Sequence, residues 1–553
     1  MEAAFASDGS FVLLSLELHL TGHYGILSTH SCEKMGGDLK MAQIRVNDLS
    51  FTYEGSSDPV LSHVTFQIDT NWKLGLIGRN GKGKTTLLQL MMGTYDYQGS
   101  IYSPVAFDYF PYSVSDNDGS RTASELMEQW KPSVQLWQVL IQLDQIHMDA
   151  ECLFRPFSTL SFGERTKVML AVLFAGENEF LLIDEPTNHL DEKARQVVKD
   201  YLSSKKGFIL VSHDRDLLDA VCDHILAFNK STIEVQSGNF TSWWANKERS
   251  DTFAQSENEK HLKEISKLKT AADRSSQWAA KNESTKIGFD PIKEQRGMGT
   301  RPYIGSKTKK MQSRVKAVEK RINREIEGKK DLLQDIERVD DLKIPQLSFY
   351  KDLMINVYDL SLRYQDAEKP LFEGLRFQVT KGRRVLLKGP NGCGKSSILK
   401  AILQKSDLPD KSERARLPGN LIVEGTLQVT SGLIISYASQ DTSFLKGTVQ
   451  DFCLERQLDL SLFLSFLRIL DFSREQFVKD LSDLSEGQKK KILLAASLIT
   501  PAHLYVWDEP LNYIDVFSRM QIEKLILTYQ PTMLLVEHDV RFAQTVATQI
   551  VEL

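Results

Sequence analysis

Two loops, "GRNGKGKTT" at residues 78–86 and "GPNGCGKSS" at 389–397, carry glycines, a lysine and hydroxyls at the G-x-x-x-x-G-K-[ST] spacing that cradles phosphate. Gly78, Gly81, Gly83 and their counterparts Gly389, Gly392 and Gly394, with Asn80 and Asn391 between them, let backbone N–H groups curl around phosphate oxygens where a helix begins. Lys84 and Lys395 are placed to reach the outer phosphates. Thr85 and Ser396 are placed to ligate Mg²⁺, and Thr86 and Ser397 complete the two loops. Further along, "FLLIDEP" and "LYVWDEP" are apolar runs that end in adjacent acids, the pattern of a buried parallel strand opening into a site. Asp184 and Asp508 suit Mg²⁺ held through water, and Glu185 and Glu509 suit the polarisation of an attacking water. "GFILVSHD" and "TMLLVEHD" then deliver His213 and His538 beyond another strand, as sensors of the γ-phosphate. The chemistry is hydrolysis of a nucleoside triphosphate, expected at two sites.

The elements that must position these residues occur twice. "DLSFTY" ending at Tyr53 returns as "DLSLRY" ending at Tyr364, and the phosphate loops share the same 311-residue offset. The acidic strands are offset by 324, so the second copy holds an insertion, located in the polar stretch Ser406 to Asn420. The fold class expected is α/β, with domains at 41–245 and 350–553 and a linker at 246–340 whose tip lies at about 286–308. With 41% hydrophobic and 25% charged residues, the 553-residue chain has the balance of a soluble protein. Its apolar runs are strand-sized, short of the ~20 residues that cross a bilayer. Five cysteines without a C-x-x-C pair exclude a disulfide framework, a zinc site or an iron–sulfur cluster, and fit a reducing cytoplasm. Residues 1–40 read poorly as a signal peptide, since Glu2, Asp8 and Glu17 stand where a basic flank and an unbroken apolar run belong. The codons of "MGGDLKM" fit a translated ribosome-binding site, which makes Met41 the expected true start.

Both halves resemble the nucleotide-binding domains of ATP-binding cassette (ABC) proteins. The segment that separates this family from other phosphate-loop enzymes is present as "LSFGERTKV" (160–168) and "LSEGQKKKI" (484–492), where the usual form is LSGGQ. Ser161, Gly163 and Glu164, and Ser485, Gly487 and Gln488, occupy its positions, while Phe162 and Glu486 depart at the third. The resemblance implies two P-loop domains that sandwich two ATP molecules within one monomer, pairing Lys84 with Ser485 and Lys395 with Ser161. It also makes Tyr53 and Tyr364 the aromatics that stack on adenine, and Gln440 a further Mg²⁺ ligand. The counterpart of Gln440 in the first half is Tyr112, which cannot ligate the metal as a glutamine carbonyl does. Glu486 brings a negative charge near phosphate unless its side chain turns away.

Between Ala245 and Lys330 lie 22 Lys/Arg and 12 Asp/Glu, a local charge near +10 in a chain of net charge −5. Such concentration suggests a polyanionic partner. Apolar positions at Leu262, Ile265, Leu268, Ala272 and Trp278, and again at Met311, Val315, Val318, Ile322 and Ile326, predict an antiparallel α-helical coiled-coil hairpin. Two cassettes joined by a basic hairpin resemble the ABC-F family of ribosome-associated ATPases. The phrases "NWKLGLIGRNGKGKTTLL", "RPFSTLSFGERTKV", "GFILVSHDRDLLD" and "WDEPLNYIDVF" resemble its Lsa-type ribosomal protection branch. That resemblance implies a cytoplasmic protein on the 70S ribosome, with no membrane partner, whose linker enters the exit site and shifts P-site tRNA and 23S rRNA. Lincosamides, pleuromutilins and group A streptogramins would be displaced, and ATP hydrolysis would release the protein. Phe289, Arg296, Met298, Arg301, Tyr303, Ile304, Lys307, Lys309 and Lys310 are then the tip residues that meet RNA, cations on phosphate and apolar groups among bases. The roughly fifty residues between Phe110 and the first signature are too few for the additional arm of some relatives, and no C-terminal extension is expected after Leu553. Alternatives are a housekeeping ABC-F factor that relieves stalled ribosomes, the cytoplasmic ATPase of an efflux transporter, and a DNA-repair ABC ATPase.

Overall fold

The computed structural model describes residues 42–553, apart from 56–58, 178, 189, 229–232, 288–308, most of 311–342, 366, 407–420 and 474–475. The expected leader, nearly all of the insertion and the tip residues Phe289 to Lys307 lie outside the described residues. Lys309 and Lys310 lie within them, helical and exposed.

The first domain opens on an antiparallel layer in which β1 (Gln43–Phe51) pairs with β2 (Leu61–Asp69) and with β4 (Gln98–Tyr102). Strand β1 alternates inward Ile44 and Val46 with outward polar residues, then takes a bulge at Asp48, φ 52°, that returns Leu49 and Phe51 to the core. Beneath it lies a six-stranded sheet in the order β5-β6-β7-β3-β8-β9, with β3 Lys73–Gly78, β5 Ala106–Phe110, β6 Glu179–Asp184, β7 Phe208–Val211, β8 His224–Phe228 and β9 Ile233–Ser237. All pairings are parallel except β8 with β9. Strands β6 and β7 are buried apolar runs, as strands covered on both faces must be. Helix α1 (Lys84–Met91) follows the phosphate loop. Helices α2 (Ala123–Trp130), α3 (Leu136–Gln145) and α4 (Phe162–Leu173) form a lobe between β5 and β6, and α5 (Glu192–Ser203) and α6 (Arg215–Val221) complete the domain.

Helix α7 runs unbroken from Phe240 to Ile287, 48 residues or about 70 Å at 1.5 Å per residue. It starts inside the segment assigned by sequence to the first domain, because Phe240 and Trp243 are part of that domain's core. The shielded positions Ala254, Asn258, His261, Ile265 and Leu268 alternate steps of four and three, a heptad seam. Leu262 falls off that seam and is 39% exposed, which corrects its place among the expected core positions. Of the second set of apolar positions only Ile322 falls among the described residues.

The second domain repeats the plan. Strand β10 (Leu353–Tyr364) pairs with β11 (Phe372–Thr380) and β13 (Leu421–Val429), over a parallel sheet β14-β15-β16-β12-β17. Its strands are β12 Arg384–Lys388, β14 Ile435–Ala438, β15 Leu504–Asp508, β16 Met533–Val536 and β17 Gln549–Glu552, and the helices are α8 Lys395–Gln404, α9 Val449–Glu455, α10 Leu460–Ile469, α11 Glu486–Ile499, α12 Val516–Tyr529 and α13 Val540–Val546. The two domains meet along α12. Val516 joins the first domain's core, and Trp243 and Trp244 each lie 6.0 Å from the ring of Phe517, which roots α7 on both domains at once.

Candidate active site

Two cavities, of about 440 and 410 Å³, lie where residues of both domains converge. In the first, Gly83 caps α1 with φ 89°, and a Cβ there would stand 2.7 Å from Val60 Cγ1, so backbone freedom and close packing both require glycine. Lys84 Nζ donates to the carbonyls of Gly78 at 2.7 Å and Arg79 at 3.2 Å, folded against the loop it would leave for phosphate. Thr85 Oγ1 donates to Asp184 Oδ2 at 2.7 Å. Tyr53 shares a hydrogen bond of 2.9 Å with Thr86 Oγ1, which pins the hydroxyl and leaves the ring at the cavity wall. From the second domain come Ser485, Glu486, Gly487 and Tyr513. Asn80 Nδ2 donates to Tyr513 O at 2.7 Å, and a Cβ on Gly487 would sit 2.5 Å from that oxygen and 3.0 Å from the amide, so this signature glycine is the seat of the opposing loop.

The second cavity repeats the arrangement with Tyr364, Asn391, Gly392, Gly394, Lys395, Ser396, Ser397, Gln440, Glu509 and His538. Lys395 Nζ reaches Gly389 O at 2.9 Å and Pro390 O at 2.8 Å, Ser396 Oγ donates to Asp508 Oδ1 at 2.8 Å, and Tyr364 meets Ser397 Oγ at 3.0 Å. From the first domain this cavity is lined by Phe162, Leu190 and Arg195, with Phe162 in the place where Ser161 and Gly163 were expected. Ser161 and Ser485 cap α4 and α11 in capping boxes closed by Glu164 and Gln488, and Ser485 also lines the first cavity. Both serines thereby fix the start of a signature helix.

The family model described as ABC transporter matches residues 61–188 and again 372–512, the two stretches that build these cavities. The chain is 28% identical over 512 residues to the ribosome protection protein VmlR of Bacillus subtilis (strain 168), covering 89% of this chain and 84% of that protein. It is 26% identical over 497 residues to the erythromycin resistance ATP-binding protein MsrA of Staphylococcus epidermidis, covering 87% and 92%. ABC transporter F family member 2 of Arabidopsis thaliana is 23% identical over 566 residues, covering 92% and 76%. The chain is an ABC-F family ATPase. Among solved structures, the crystal structure of the complex of archaeal ribosomal stalk protein aP1 and the ribosome recycling factor aABCE1 superposes with a TM-score of 0.55 at 17% identity, covering 91% of this ABC-F chain and 87% of that one, a likeness of fold.

Several features of this ABC-F ATPase escaped the sequence reading. Tyr112 occupies the register position of Gln440, since Phe110 pairs with Ile183 as Ala438 pairs with Trp507. Its hydroxyl nevertheless turns away, donating to Asp108 at 2.7 Å, while its ring stacks on Trp130 at 5.1 Å. It is Tyr109 that donates to Asp184, at 3.3 Å. A tyrosine three residues before the expected one, inside β5 where Tyr112 lies beyond its end, gives no signal by spacing. Asn512 Nδ2 donates to Glu509 Oε2 at 3.0 Å, and its repeat partner Asn188 lines the first cavity. Their common offset was visible in "EPTNHLD" and "EPLNYID".

The electrostatics separate the two sites. Burial, then the charge of Asp184, raises Glu185 to about 8. Burial, then Lys84 and Arg519, holds His213 well below its ordinary value, so it is neutral where it lies 3.3 Å from Glu185. Burial works in the same direction on Glu509, but the His538 hydrogen bond and the charges of His538, Lys395 and Lys490 outweigh it and hold this carboxyl below its usual range. Asp508 is raised to about 6 by burial. A divalent cation would relieve that charge burial, and one hydroxyl with one carboxylate is the oxygen donor set through which Mg²⁺ is held beside substrate phosphates. No cluster of three His, Cys, Asp or Glu side chains able to hold a metal by itself occurs among the described residues.

Proposed function

We propose that this ABC-F ATPase acts on the ribosome in the cytoplasm, protecting the peptidyl transferase centre from lincosamides, pleuromutilins and group A streptogramins. ATP draws the cassettes together, the basic linker enters the exit site and displaces P-site tRNA and nearby 23S rRNA, and hydrolysis releases the protein. In each site the lysine of the phosphate loop binds the outer phosphates, and Mg²⁺ supplies charge neutralisation of the transferring phosphoryl group. Thr85 with Asp184, and Ser396 with Asp508 and Gln440, would hold the ion. Glu185 and Glu509 orient and deprotonate water, and His213 and His538 position those carboxyls and contact the γ-phosphate.

The observation that carries the reading is the 48-residue arm α7, rooted on both cassettes through Trp243, Trp244 and Phe517. Closure of the cavities moves Phe517 with α12 and therefore acts on the arm. Within the segment of local charge near +10 the arm itself carries nine Lys/Arg and seven Asp/Glu, so most of the cationic excess suited to RNA phosphate belongs to the sequence from 288 to 330. Similarity along most of the chain to a protein named for ribosome protection and to one named for erythromycin resistance supports the same reading. No helix among the described residues is long and apolar enough to cross a membrane.

The test is drug susceptibility in a sensitive Gram-positive host expressing residues 41–553, wild type beside the Glu185→Gln, Glu509→Gln form, with lincomycin, tiamulin and a group A streptogramin. Resistance from the wild type alone is expected. Healthy expression without resistance would remove the protection function and favour a housekeeping factor on stalled ribosomes.

A further inference from the structure

Ser485, Glu486 and Gly487 wall the first cavity, whereas Gln440 and Glu509 wall the second. All five belong to the second cassette, and two side chains of α11 tie the groups together. Glu486, at the signature position where glycine is usual, accepts a hydrogen bond from Thr442 Oγ1 at 2.6 Å. One turn along, Lys490 is 3% exposed and sends Nζ to the carbonyls of Gln440 at 2.7 Å, Ser439 at 3.3 Å and Glu509 at 3.5 Å. Gln440 Nε2 in turn donates to Glu509 Oε2 at 2.9 Å. An ammonium has three protons to give, and burying it is costly unless they are used. Here they go to the two segments that present the second cavity's glutamine and glutamate.

The first cassette lacks the chemistry for such a tie. Phe162 stands at the position of Glu486 and has no acceptor in its side chain. Thr166 stands at the position of Lys490 and turns its hydroxyl back to Phe162 O at 3.0 Å. At the position of Thr442 is Val114. The coupling therefore has a direction.

We propose that Lys490, assisted by the Glu486–Thr442 bond, is a positioning residue that transmits occupancy of the first site to Glu509 and Gln440 in the second, and that no equivalent signal returns. Phosphate seated against Ser485 and Gly487 holds the start of α11, and Lys490 then holds the Gln440 and Glu509 segments where water is to be activated. This rests on the assignment of Glu185 and Glu509 as the two bases.

The experiment uses the full chain carrying Glu185→Gln, so that turnover reports the second site. Ser485→Ala, which weakens the wall of the first site, is combined with Lys490→Thr in a two-by-two cycle. Each single change is expected to lower kcat about tenfold with KM for ATP moved less than about twofold, and the pair is expected to be no slower than Lys490→Thr alone. Losses that multiply, or an unchanged kcat in Lys490→Thr, would overturn the proposal. Lys490→Arg, which keeps charge and donors, restores part of the rate, and Lys490→Met does not. Thermal melts accompany each variant, and if Lys490→Thr fails to fold, Thr442→Val must show the same non-additivity with Ser485→Ala, multiplied losses there overturning the proposal equally. Turnover surviving in Glu185→Gln, Glu509→Gln would overturn the assignment of the bases, and the coupling with it.

Discussion

Glu185 and Glu509 follow equivalent strands in the same left-handed backbone, φ 52° and 47°, yet Glu509 receives side-chain amides from Gln440 and Asn512, whereas Glu185 Oε2 receives the backbone N–H of His213 at 3.4 Å and its Oε1 no hydrogen bond among the described residues. Positive φ at a glutamate is a strained conformation that the surrounding fold must impose. Both cassettes accept that strain to aim a carboxyl into the cavity. They differ in what meets it there: the amides of Gln440 and Asn512 and the His538 ring in the second, and in the first the His213 ring at 3.3 Å with burial beside Asp184.

The difference predicts separate pH profiles. A general base works only when ionised, so a carboxyl raised to about 8 limits the first site at neutral pH, and one held below its ordinary value does not limit the second. In Glu509→Gln, phosphate release should rise steadily from pH 6.5 to beyond pH 8. In Glu185→Gln it should be flat across that range. A flat profile in Glu509→Gln would dispose of the expectation.

Stability should follow the same groups with opposite signs. Glu185 is raised above its ordinary 4.5 on folding, so between about 4.5 and 8 the folded state binds more protons than the unfolded, and stability falls as pH rises through that window. Glu185→Gln removes that loss. At pH 8 without nucleotide it should melt above wild type by about 2–4 °C for each kcal/mol relieved. Glu509, being lowered, contributes stability at neutral pH, and Glu509→Gln should melt lower. Calorimetry at pH 5.5 and 8 decides, and equal shifts for both variants would contradict the asymmetry.

The duplicated phosphate loops, acidic strand ends and signature segments were legible because each is a local pattern whose spacing survives the 311- and 324-residue offsets. Ser485 and Gly487 at the first cavity were reachable by family resemblance alone, since contacts between domains leave no periodic trace. Phe162, and not Ser161 or Gly163, lines the second cavity although Ser161 and Ser485 make the same helix cap, so the ring at the third signature position is what differs between the two walls. Tyr112 was matched correctly to the position of Gln440, but its side-chain direction depended on Asp108 and Trp130, partners that no motif names. Nothing in "KKK" sets Lys490 apart: Lys490 and Lys491 are equally buried and only their partners differ, Leu470 O and Asp515 for Lys491 against the carbonyls of Ser439, Gln440 and Glu509 for Lys490.

Tyr112 is therefore expected to matter for stability and little for catalysis. Its hydroxyl serves Asp108, which also takes a bond of 2.7 Å from Lys131. Tyr112→Phe should cost about 1.5–3 kcal/mol, the worth of a hydrogen bond to a charged group, seen as a lower melting temperature. ATP turnover at the first site should stay within about twofold of wild type, whereas Gln440→Ala should slow the second about tenfold or more. A Tyr112→Phe protein that melts normally and loses turnover would return this residue to the active site.

A buried pair spans the cassette boundary, Arg215 of α6 and Glu523 of α12, joined through both guanidinium Nη atoms, with Nη1 to Oε2 at 3.0 Å, beside the pairs of Arg541 with Asp216 and Asp219. The two partners report opposite balances: the bond to Glu523 holds Arg215 more firmly charged against its burial, whereas burial raises Glu523 despite the arginine. An arginine stays ionised in any case, so the cost of the pair lies in the burial of Glu523. The pair then roughly breaks even while intact, but removing one partner strands a buried charge at a cost of about 3–5 kcal/mol. Arg215→Ala should consequently part the cassettes, increasing protease sensitivity between them and lowering turnover at both sites, each of which needs residues from both domains. Replacing the two together, Arg215→Leu with Glu523→Leu, should recover most of that loss. If the double replacement is as damaging as the single, the pair is a net source of stability and does not break even.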